Sequence, residues 1–107
     1  MNASMSDGFT LFTKQFPQTA QAHMEFVRAK AAESALDAKT THLAYIGVLC
    51  AAGLTSGLPF HIQLARQSGA SHEEILSACL VGLQAVGLIV MDGYEVANRT
   101  LDQEPHE

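Results

Sequence analysis

His61 is the residue of this sequence best placed to move a proton. It lies in the stretch L-P-F-H-I-Q-L-A-R-Q-S-G-A-S-H-E-E-I-L, residues 58–76, which reads as a helix, a glycine stop and a second, capped helix. An imidazole titrates near neutral pH, and the positive end of a helix favours its neutral, basic form. The turn before it, Gly53-Leu54-Thr55-Ser56-Gly57, has no cysteine to make a thiol redox centre. The plainer role for the same ring is a polar helix-start residue bonded to a carbonyl or to water.

His42 is the second candidate. His42, Tyr45, Ile46, Leu49 and Gly53 recur at spacings of three and four, so they share one stripe of a helix. His61, Leu64, Ala65 and Ser68 do the same on the next one. A short turn makes the two an antiparallel hairpin, with Leu54, Gly57 and Tyr45 as pocket residues around His61. A parallel-sided hairpin leaves the two histidines about 9 Å apart along the axis. They meet only if the helices cross steeply or a neighbouring subunit supplies one ring.

Other reactive residue types carry less. Leu64 and Ala65 occupy the positions where a zinc-binding helix would repeat a ligand after His61, so a metal site has no support. Cys50 and Cys79 each sit inside an apolar run, with no cation or helix start beside them in sequence. They read as small buried hydrophobes. His23, His72 and His106 occupy flank, cap and tail positions. Met24, Met91 and the cluster of Phe9, Phe12 and Phe16 read as core or interface filling.

The elements that position these residues are helical throughout. Phe9, Leu11, Phe12 and Phe16 predict a short amphipathic helix ending at Pro17, and residues 18–34 a second helix. Asp37 is an N-cap for a helix over 38–53 that stops at Gly53. Ser56 or Gly57 opens the next, with Pro59 in its first turn, and it runs to Ser68 with Gly69 beyond. Ser71-His72-Glu73-Glu74 is a capping box for a helix reaching at least Gly82. A last helix spans about 88–102. The fold class is all-α, a single domain over 1–107 of five to six helices, with residues 1–6 and 103–107 flexible.

At 107 residues the chain is 48% hydrophobic and only 16% charged, few charges for a small monomer's surface. The excess implies a buried interface between copies. A net charge of −5 with scattered Lys and Arg offers no patch for nucleic acid. Residues 75–91 are the most apolar run, but Ser77, Gln84 and two glycines interrupt it, and it falls short of the roughly 20 residues of a membrane span. It reads as buried between subunits. No secretory signal opens the chain, so the expected location is cytoplasmic, with neither membrane nor nucleic-acid partners.

Residues 36–42, L-D-A-K-T-T-H, the helix after them and residues 61–75, H-I-Q-L-A-R-Q-S-G-A-S-H-E-E-I, resemble the carboxymuconolactone decarboxylase family, which includes the AhpD-like alkylhydroperoxidases. The resemblance covers about residues 15–100. It implies an AhpD-like bundle whose subunits interlock as a homotrimer or homohexamer. It also implies one of two chemistries. The peroxidase branch uses a Cys-x-x-Cys pair, at positions held here by Leu54 and Gly57, and a glutamate, at the position of His42. Of that set only His61 matches. The decarboxylase branch lacks the cysteine pair and keeps the histidine, which serves as general acid or base.

The resulting expectation is a family member without the thiol peroxidase centre. It would perform cofactor-independent acid–base chemistry on a small organic acid or lactone, with His61 and His42 as catalytic residues. The substrate's carboxylate needs a cation. Arg66 lies about 140° around the helix from His61, and Lys39 and Arg28 are the others available. The rival expectations are a non-catalytic oligomeric binding or scaffold protein, and an oxidoreductase using Cys50 and Cys79.

Overall fold

The structure, a computed structural model, describes residues 5–104. Among these residues every regular element is helical: α1 (Asp7–Gln15), α2 (Pro17–Glu33), α3 (Ala38–Ala52), α4 (Leu58–Gln67), α5 (His72–Cys79), the single turn α6 (Leu83–Val86) and α7 (Val90–Asp102). The expectation of flexible ends falls partly outside the described residues, with 1–4 and 105–107 beyond them. Ser6 caps α1, its side chain accepting from the Phe9 N–H, and Gln103 closes α7.

The helix limits follow from local chemistry. Asp37 accepts the Thr40 N–H at 2.8 Å, and the orphan amides of α3 begin there. That bond holds the Asp37 carboxyl below its ordinary value. At the other end Gly53 takes φ +71°, and the Leu54 N–H reaches back to the Leu49 carbonyl at 2.9 Å. A side chain at Gly53 would be strained in this left-handed conformation, so the glycine is what lets α3 stop and the chain turn toward α4. Gly57 opens α4 with Pro59 in the first turn. The capping box of α5 is complete: Ser71 accepts from the Glu74 N–H at 3.0 Å, and Glu74 accepts from the Ser71 N–H at 2.8 Å.

One limit differs from expectation. Helix α5 ends at Cys79, short of Gly82, because the next amides bond three residues back, Leu80 to Ser77 and Val81 to Ala78. Tight turns of that kind cannot carry an α-helix onward. Leu80–Val86 therefore folds as turns around α6. A side-chain carbon at Gly82 would sit 3.1 Å from the Ala51 Cβ, so this corner presses directly on α3.

Helices α3, α4, α5 and α7 form the core, with Ile46, Leu58, Ile62, Ile75 and Val90 fully enclosed. Burying side chains of this size contributes about 1.5–3 kcal/mol each. Helices α1 and α2 pack chiefly on one another and stand apart as an arm. Ala20 is the buried residue of α2, and α1 has none. The Phe9, Phe12 and Phe16 rings follow one another along α1 and its C-cap, tilted, at 6.1 and 6.4 Å, and His23 lies against Phe9, Phe12 and Phe26. Much of this aromatic row faces outward, Phe16 and Phe26 included.

The run 75–91 divides in two. Ile75, Ala78, Cys79 and Val90 enter the core, whereas Val81 is 72% exposed and Leu88 76% exposed in the single chain. Met91 is also exposed rather than part of the core. No helix among the described residues is long and apolar enough to cross a membrane.

Candidate functional site

The site grows from the α3–α4 hairpin. The first turn of α4 holds His61, whose N–H bonds the Gly57 carbonyl at 3.3 Å. One stripe of α3 presents Tyr45 to it, the ring centroids 4.4 Å apart and the planes at 56°. Phe60 stands edge-on to the same ring, with centroids 5.5 Å apart. A side-chain carbon at Gly57 would come 3.8 Å from the imidazole Cδ2, so the bare backbone there leaves the ring its room.

These contacts set the charge state of His61. Half-burial pushes its pKa below the usual imidazole value, and the nearby His42 lowers it further, since two positive rings repel. The ring is therefore neutral at pH 7. Its Nδ1 is shut off from solvent and has no hydrogen-bond partner among the described residues. A buried polar atom with no partner is uncommon and costly, and such atoms collect where a ligand or a proton is to be taken up.

The sequence-predicted residues are thus brought together in part. Tyr45 and Gly57 touch or border His61, and His42 lies close enough to act on its charge. Leu54, 58% exposed, reaches outward from the turn, so it does not enclose the ring within one chain. Tyr45 is 43% exposed, so the side chain packed against His61 is itself only partly covered. A surface hollow of about 450 Å³, lined by Phe26, Ala29, Lys30, Glu33 and Ser34, lies on the α1–α2 arm instead.

Two of the three candidate cations, Arg66 and Lys39, are committed elsewhere. Arg66 bonds both carboxylate oxygens of Glu104 at 3.1 Å and the Ala70 carbonyl at 2.8 Å. His72 adds a 2.9 Å contact to the same carboxylate. Burial pushes Glu104 up, but bonds from His72 and Arg66 outweigh it and hold the carboxyl below its ordinary value. Lys39 pairs with Glu74 at 2.9 Å. Arg28 is exposed on the arm. Nothing in sequence pointed to the Arg66–His72–Glu104 cluster, since its members lie on three different segments.

The two cysteines named in the oxidoreductase alternative come together within one chain. Cys50 on α3 and Cys79 on α5 are both fully buried, and each thiol shifts the other's titration, Cys50 downward and Cys79 upward. No sequence signal marks this pair, because it depends on how the two helices cross.

A model of the carboxymuconolactone decarboxylase family matches residues 17–98. Neither the curated proteins nor the solved structures contain a match to the chain.

Proposed function

The chain belongs to the carboxymuconolactone decarboxylase family, and from that premise we propose that His61 performs cofactor-independent acid–base chemistry on a small organic acid or lactone. The observation that carries this reading is the sheltered Nδ1, without a hydrogen-bond partner among the described residues, of a histidine held neutral at pH 7. In the tautomer with hydrogen on Nε2, Nδ1 offers a lone pair toward its surroundings. The first act of such a ring is to accept a proton, for instance from the carbon next to a carbonyl. The imidazolium that results is destabilised by burial and by His42, so it returns the proton readily. His42, one helical turn before Tyr45, is the group that shares this proton. Leu54 and Gly57 stand where the peroxidase branch carries cysteines, which supports the acid–base branch of the family over the thiol one.

The acting form is a homo-oligomer in this reading, a trimer or hexamer. Two surfaces support it: the aromatic arm of α1 and α2, and the exposed apolar corner from Val81 to Met91. Within one chain Tyr45 and Leu54 beside His61 are exposed, and a neighbouring copy would cover them. It would also bring a cation, such as Arg28 of the arm, for the substrate carboxylate.

The test is turnover of a panel of small lactones and 3-oxo acids by the wild type and His61→Gln, with oligomer size followed alongside. Loss of turnover by two orders of magnitude or more, about the weight of a general base, with the oligomer retained supports the reading. Equal rates in the two proteins refute it.

A further inference from the structure

We infer that Cys50 and Cys79 form a redox couple of their own, a buried dithiol that a small hydroperoxide converts into a disulfide between α3 and α5. The inference does not depend on the chemistry of His61.

Three observations place the two sulfurs in position. Each thiol acts on the other's titration across the α3–α5 contact. The helix backbones are unusually close there: a side-chain carbon at Gly47, one turn before Cys50, would come 3.2 Å from the carbonyl oxygen of Ala78, next to Cys79. A disulfide needs Cα atoms about 4.4–6.8 Å apart, which only helices in such intimate contact provide. From the third side Gly93 of α7 lies directly against the Cys50 Sγ, where even a methyl group would collide. The pair is therefore held by three helices rather than left to rotate.

The two sulfurs are chemically unequal. The Cys79 S–H donates toward Cys50 and favours the thiolate there, lowering its pKa, while this bond and burial push Cys79 up. Cys50 is accordingly the attacking sulfur. Its thiolate attacks one oxygen of the peroxide, the O–O bond breaks, and the other oxygen leaves as water or alcohol once protonated. Cys50 is then a sulfenic acid, oxidised by two electrons. The sulfur of Cys79 next attacks the Cys50 sulfur, the S–S bond forms and the S–O bond breaks. The hydroxyl leaves as water with the Cys79 proton. The sum is two thiols and one peroxide giving one disulfide and two molecules of water, or one water and one alcohol.

Burial selects the oxidant. With no exposed surface on either cysteine, a bulky disulfide cannot approach to exchange, whereas hydrogen peroxide needs only a transient opening. The bridge would close a loop that contains all of α4, so the helix bearing His61 would be tied at both flanks.

The experiment exposes the intact protein to hydrogen peroxide, then denatures it and titrates thiols, with intact mass and peptide mapping in parallel. The expected result is loss of both thiols, a mass lower by two hydrogens, and a Cys50–Cys79 cross-link within one chain. Cys79→Ser should lose that mass decrease and stop at an oxidised Cys50. Two free thiols after peroxide, oxygen addition without a bridge, or a bridge between chains would each overturn the inference.

Discussion

The Tyr45 ring lies over the His61 imidazole with 4.4 Å between centroids, although one residue belongs to α3 and the other to α4. This contact turns a histidine at a helix start into a sheltered one. Removing it should open the ring to water and relieve the desolvation that depresses its pKa. Tyr45→Ala is expected to move the His61 midpoint back toward the usual imidazole value, read from the ring proton by NMR. Because Tyr45 is itself partly exposed, the accompanying loss of stability should be only about 1 kcal/mol.

Stability should depend on pH through the same ring. A lowered folded-state pKa means the unfolded chain takes up the proton first as pH falls. The contribution of His61 is therefore complete above about pH 6.5, the unfolded value, and is lost as pH falls through the folded midpoint. Urea midpoints measured between neutrality and the onset of carboxylate titration should decline, and His61→Gln should flatten that part of the curve. An unchanged slope in the variant would assign it to other groups.

Gly93 and Cys50 should behave as one packing unit. Alanine in a helix normally gains about 1 kcal/mol over glycine, but at this site its methyl group meets Sγ and lies 3.3 Å from the Cys50 Cα. Gly93→Ala is expected to destabilise by about 1–3 kcal/mol. The double variant with Cys50→Ala should be less unstable than the sum of the single changes, by about 1 kcal/mol in a denaturation cycle. Additivity would show that the two do not press on each other.

Much of this architecture was legible because it is written locally. Asp37, Gly53, Gly69 and the Ser71–Glu74 box act within four or five residues, and each marks its helix end where the chain folds. The candidate site was legible only in part. His61 and Tyr45 could be paired because a short turn joins their helices, whereas the separation of His42 from His61 depends on a crossing angle that no spacing reveals. The Cys50–Cys79 contact and the Arg66–Glu104 bridge are set by helix packing alone, so they left no pattern to read. Apolar content misled at α5: its run continues to Met91, but the turn bonds after Cys79 end the helix.

Self-association should rest on residues that one chain leaves outside. Phe16→Glu on the arm and Leu88→Glu at the corner alter exposed positions, and each should cost an isolated chain at most about 0.5 kcal/mol. Sedimentation should nevertheless show a smaller species for at least one of them, with helical circular dichroism unchanged. Wild-type protein that sediments as a monomer would remove the interface from the account.

The most direct measurement is proton exchange in D2O at the carbon beside the carbonyl of a small lactone or oxo acid, followed by NMR. Deuterium incorporation catalysed by the wild type is expected, falling off on the acid side as His61 protonates, and reduced at least about 100-fold in His61→Gln. Exchange that proceeds equally in both proteins, or that the wild type does not accelerate for any member of the panel, would contradict it.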